Sequence, residues 1–105
     1  MEFKEIQKIA LEVRDEYAKL NERKGERKWG ALEHTQGLAA DVGDLNRLVM
    51  AKSGLRCGED LDEKLLHQIS DCLWSVMVVA DELGINLETE FVRQMKILEE
   101  RVKNS

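Results

Sequence analysis

With 105 residues, the chain has room for one domain and is too short for two. Its 43% hydrophobic content suits a folded globule rather than a disordered chain. A formal charge of −5, from 21 acidic and 16 basic side chains, disfavours a nucleic-acid polymer as partner, because phosphate backbones repel such a surface.

The opening residues, Met1-Glu2-Phe3-Lys4-Glu5, contain no apolar signal core. Phe3, Ile6, Ile9, Ala10, Val13, Tyr17 and Leu20 recur at helical spacing, with Lys and Glu between them. This predicts an amphipathic first helix from about Phe3 to Leu20, with no chemistry of its own. The polar stretch from Asn21 to Gly30 reads as a loop. Its basic cluster, Arg23, Lys24, Arg27 and Lys28, sits among acids and reads as solvated surface. Trp29 has two readings: a ring that closes the end of a bundle, or a ring that stacks on a nucleobase.

A second helix is expected from about His34 to Lys52, with Leu38, Val42, Leu45 and Val49 as its stripe and Ser53-Gly54 as its stop. At 3.6 residues per turn, Asp41 falls at the edge of that face and Asp44 one step further out. Asp60 as N-cap and Gly84 as stop bound a third helix, from about Leu61 to Leu83. Its middle, Ile69 to Ala80, is apolar except for Ser70, Asp71 and Ser75, which is the pattern of a buried helix. A chain this short can hardly surround such a helix. A homo-oligomer follows as the expectation, a homodimer or homotetramer, with Trp74 at the subunit interface. Asn86 caps a fourth helix whose stripe is Leu87, Phe91, Met95, Leu98 and Val102. The expected fold is all-α, four helices with short connections in a single domain over residues 1–105.

No apolar run approaches the roughly 20 residues that span a membrane. Cys57 and Cys72 form no metal-binding spacing, so they read as free thiols in a reducing cytoplasm. His34 and His67 are too isolated for a zinc site.

The acids are more informative. Asp71 lies inside the most apolar stretch, and an unpaired carboxylate there is unfavourable, so it must be paired, protonated or metal-bound. Gln68 precedes it by three residues, and Asp41 and Asp44 repeat that spacing on the second helix. Two helices can thus present Asp41, Asp44, Gln68 and Asp71 to one point. Oxygen-only ligands select a hard cation such as Mg²⁺ or Mn²⁺, which polarises phosphoryl groups and activates water. Such Asp pairs also occur on solvated faces, and Asp71 has Arg47 and Lys52 as alternative partners.

The segment Leu38-Ala39-Ala40-Asp41-Val42-Gly43-Asp44-Leu45 resembles the L-x-x-E-V-G-E-L element of the MazG-like nucleoside triphosphate pyrophosphohydrolases. Gln68-Ile69-Ser70-Asp71-Cys72-Leu73-Trp74 is similar to their E-L-x-D-x-L-W element. Ala80-Asp81-Glu82-Leu83-Gly84-Ile85-Asn86-Leu87-Glu88 is similar to their A-D-x-L-G-I-D-L-E turn. The resemblance spans about Trp29 to Arg101. It implies a helical bundle, assembled as a dimer or tetramer, that uses Mg²⁺ to split a nucleoside triphosphate into monophosphate and pyrophosphate.

By the same resemblance Asp41, Asp44 and Asp71 fall on metal-binding acids, and Gln68 falls on a fourth. Lys52 matches a phosphate-facing lysine, Lys96 and Arg101 match basic residues of the last helix, and Trp29 and His34 lie where base-binding residues gather. Three departures stand out: both second-helix acids are Asp rather than Glu, Gln68 supplies a neutral amide, and Ala40 stands where many relatives carry another Glu. The alternative expectation, favoured by Gln68, is a catalytically impaired relative serving as a nucleotide-binding or helical interaction module. A purely structural bundle is the third.

Overall fold

A computed structural model describes residues 1–54 and 60–105. Among the described residues there are four helices and no strand: α1 (Phe3–Arg23), α2 (Ala31–Lys52), α3 (Leu61–Glu82) and α4 (Leu87–Lys103). The all-α expectation is met, and the helix ends have local causes. The first helix runs three residues past its apolar stripe. Its stop is Gly25, which takes φ +69° while the Glu26 amide donates to the Asn21 carbonyl at 2.8 Å. The second begins three residues earlier than expected. There the Glu33 carboxylate accepts the Gly30 amide at 2.6 Å, supplying a partner to an N-terminal donor, and this bond holds the Glu33 carboxyl below its ordinary range.

The third helix corrects one expectation. Asp60 makes no capping hydrogen bond, because its backbone is left-handed (φ 54°) rather than in the extended form that aims a cap side chain at the first turn. Gly84 does close α3, at φ +71°, and the Asn86 side chain accepts the Thr89 amide at 3.3 Å to start α4.

Helices α2 and α3 lie side by side, α1 rests on α3, and α4 touches α3 only lightly. Two polar contacts fasten α1. The Trp74 indole N–H donates to the Ala10 carbonyl at 2.9 Å, and Arg14 Nη1 donates to Asp81 at 2.6 Å, with Glu82 at 3.5 Å. Trp74 therefore has a hydrogen-bond partner within its own chain.

Among the described residues the buried apolar ones are few: Ala10, Met77, Val78 and Ala80. Ile69 and Leu73, expected inside, are about half exposed. The radius of gyration is 16.6 Å, against about 13 Å for a compact domain of this length. The accessible surface is 8031 Å², whereas a compact monomer of 12.1 kDa would show about 6,000 Å².

Cys72 is a free thiol, as expected; Cys57 lies outside the described residues. No described helix is long and apolar enough to cross a membrane.

Because Arg14 bridges α1 to the end of α3 at a partly shielded site, Arg14→Ala should lower stability by about 1 kcal/mol. The urea midpoint should fall, with α1 amides losing hydrogen-exchange protection before those of α2. A variant with the parental midpoint and protection would show that the pair does not hold α1.

Candidate functional site

A cavity of about 580 Å³ opens where α1, the 24–30 connection, α2 and α3 meet. Its size falls within the range of small-molecule sites, roughly 300–1,000 Å³. Four rings run along it. Trp29 meets His34 edge-on at 5.4 Å between centroids, His34 meets Trp74 edge-on at 5.7 Å, and Tyr17 lies 5.7 Å from Trp74. Trp29 is seated against Gly37, where a Cβ would come within 3.5 Å of the ring. About half of Trp29 remains exposed, so its face is open to a ligand.

His34 is 4% exposed, and its Nδ1 has no hydrogen-bond partner. Burial lowers its pKa, opposed by the charge of Glu82 and reinforced by that of Arg14. The His34 residue lines the cavity, while its Nδ1 is a buried polar atom without a partner in the chain.

Asp41 and Asp71 line the same cavity. Asp41 accepts a hydrogen bond from the Gln68 amide at 3.0 Å. Asp71 lies 3.1 Å from His67 Nε2, rather than pairing with either Arg47 or Lys52. Those two cations are engaged elsewhere: Arg47 with Asp44, one helical turn away, and Lys52 with Asp62 at 2.6 Å. Burial, and then the charges of Asp41 and Asp71, raise the pKa of the Cys72 thiol, which marks how near it both carboxylates lie.

Asp44 and Gln68 line a neighbouring cavity of about 510 Å³ together with Arg47 and His67. The four expected residues are therefore adjacent across α2 and α3, linked by the Asp41–Gln68 bond, but they are divided between two openings. Among the described residues no three His, Cys, Asp or Glu side chains gather closely enough to hold a metal. The donor chemistry nevertheless suits a hard cation: the carboxylates of Asp41 and Asp71 with an amide oxygen from Gln68.

Of the other expected residues, Trp29 and His34 stand in the cavity, whereas Lys52, Lys96 and Arg101 line neither opening. Sequence reasoning missed Tyr17, Trp74, Lys24 and Lys28, all of which line the larger one. Tyr17 was visible only as a member of an apolar stripe, and Trp74 was read as an interface ring. For the lysines, Gly25 was the available signal, because a turn there folds the basic cluster back toward the helices. Comparison with known protein families, with curated proteins and with solved structures finds no match.

The His34 environment makes a directional prediction. Its folded pKa is below the ordinary value of about 6.5, so as pH falls past 6.5 the unfolded chain binds the proton first. The contribution to stability is present above 6.5 and is lost progressively as pH falls towards the folded pKa. Urea unfolding between pH 7.5 and 5 should show this loss, and His34→Gln should flatten that part of the profile. An equal slope in the variant would assign the proton uptake to another group.

Proposed function

We propose that the chain is a MazG-like nucleotide pyrophosphohydrolase, a hydrolase that converts a nucleoside triphosphate to the monophosphate and pyrophosphate with Mg²⁺, or Mn²⁺, as cofactor. The observation that carries this reading is the larger cavity, where Asp41 and Asp71 share one wall space with Trp29, Tyr17, His34 and Trp74. Rings suit a base, and carboxylates beside them suit a cation that meets phosphate. Asp41 and Asp71 would hold the metal, with Asp44 joining from the neighbouring opening and Gln68 as a neutral ligand or water-orienting group. When bound, the metal supplies charge neutralisation and an activated water. The chain's own part is to stack the base on Trp29 and keep the phosphates facing the carboxylates. Cytoplasmic nucleotides are the corresponding substrates.

A second reading is favoured by a specific observation. Each acid already has a partner within the chain: Gln68 for Asp41, Arg47 for Asp44 and His67 for Asp71. A nucleotide-binding or helical interaction module would need no cation there.

The functional subunit in this proposal is a homodimer or homotetramer. The surface exceeds that of a compact monomer by about 2,000 Å², an area of the size obligate subunit interfaces bury. The exposed apolar side chains of α3 and α4, such as Ile69, Leu73, Phe91 and Met95, are the faces available for it.

Pyrophosphate release from a panel of nucleoside triphosphates with Mg²⁺ or Mn²⁺ tests the reaction. Turnover should fall at least a hundredfold in Asp71→Asn, while Trp29→Ala should raise KM more than it lowers kcat. Binding of nucleotides without any pyrophosphate release would select the second reading.

Sedimentation at micromolar concentration should give a multiple of 12.1 kDa. Leu73→Glu, which places a charge on the exposed α3 face, should shift the distribution towards monomer. A parental chain that sediments as a 12.1 kDa monomer would rule out the assembly.

A further inference from the structure

The cations expected to meet phosphate are not at the cavity: Lys52 is paired with Asp62, and Lys96 and Arg101 lie on α4. Arg14 lines the cavity but is committed to Asp15, Asp81 and Glu82. Two cationic side chains remain in its wall, Lys24 and Lys28, and among the described residues neither has a carboxylate within ion-pair distance.

Their backbone is anchored on both sides. Lys24 ends α1, its amide bonded to the Leu20 carbonyl at 3.1 Å, and the Gly25 turn follows. Lys28 precedes Trp29, whose ring rests on α2 at Gly37, and the Gly30 amide is held by Glu33. The lysine-bearing segment thus lines the same cavity as Asp41 and Asp71. A cavity lined by free cations and by aromatic rings matches a ligand that has an aromatic part and an anionic arm. Free ammonium groups on anchored backbone recognise phosphate as point charges.

We propose that Lys24 and Lys28 form the phosphate subsite of this cavity, so that the anionic arm of a nucleotide is bound from the connection between α1 and α2. The inference rests on the nucleotide reading of the same cavity, but it concerns anion binding and can be tested without turnover.

The probes are sodium tripolyphosphate, cytidine and CTP, titrated in chelator against the intrinsic fluorescence of Trp29 and Trp74. The double variant Lys24→Gln/Lys28→Gln should lose about tenfold or more in affinity for CTP and for tripolyphosphate, with cytidine affinity unchanged. Lys24→Arg/Lys28→Arg should retain anion binding. Lys96→Gln/Arg101→Gln should bind CTP as the parent does, and raising the salt concentration should weaken CTP in the parent more than in the Lys24→Gln/Lys28→Gln variant.

Unchanged CTP affinity in the Lys24→Gln/Lys28→Gln variant overturns the subsite and leaves the proposed hydrolysis standing. Lysine-dependent tripolyphosphate binding by a chain that releases no pyrophosphate from any nucleotide sustains the subsite and removes the hydrolase reading. A parent that binds neither tripolyphosphate nor CTP overturns the subsite.

Discussion

The row of rings Trp29–His34–Trp74–Tyr17 is the contact on which the site depends, because each ring comes from a different part of the chain. Tyr17 belongs to α1, Trp29 to the 24–30 connection, His34 to α2 and Trp74 to α3. Edge-on packing of aromatic pairs contributes about 0.5–1.5 kcal/mol each beyond burial. Here it also sets positions: the indole N–H of Trp74 fixes α1 by its hydrogen bond to Ala10, and α1 then supplies a wall of the cavity. Without α1, the carboxylates of Asp41 and Asp71 would lie on an open groove between α2 and α3.

His34 sits at the centre of that row, and its position explains a local conflict in the sequence. A polar ring is placed where an apolar one would pack equally well, buried and with Nδ1 unpaired. A buried donor or acceptor without a partner costs about 1–3 kcal/mol. Local rules that fail in this way concentrate at functional sites. Burial lowers the pKa of the imidazole, which favours its uncharged form beside Arg14.

Much of the helical framework was legible in the sequence, because it rests on short-range causes. The apolar stripes, Gly84 as a left-handed stop and Asn86 as a cap act within one or two turns of the chain. What was not legible depends on partners far along it. Trp74 reads as an interface ring from its helix alone, and its bond to a carbonyl 64 residues away has no signal there. Asp71 lies within reach of Arg47 and Lys52 by element order, but a histidine one turn back on its own helix is nearer. The ends of α1 and α2 shifted by three residues because Gly25 and Glu33 outweigh the apolar period there. Asp41, Asp44, Gln68 and Asp71 do lie on adjacent helices, as their spacing implied. Their division between two openings depends on side-chain pairing, which spacing does not encode.

That pairing bears on how a cation could act here. Carboxylates that share a small space repel one another unless something neutralises them. In this chain each carboxylate has a polar neighbour of its own: an amide on Asp41, a guanidinium on Asp44 and an imidazole on Asp71. The chain therefore gives each carboxylate a contact of its own, and that of Asp44 is with a permanent cation. A divalent cation drawing Asp41 and Asp71 together must first displace Gln68 and His67. Its net affinity is its interaction with the carboxylates minus the loss of those contacts. The same exchange would release the Gln68 amide to turn its oxygen towards the ion, because one side chain carries both donor and acceptor. Gln68 is thus compatible with either state of the site, holding Asp41 when the cation is absent and ligating when it is present. A glutamate at this position could not donate to Asp41, and the unloaded site would then carry two facing carboxylates.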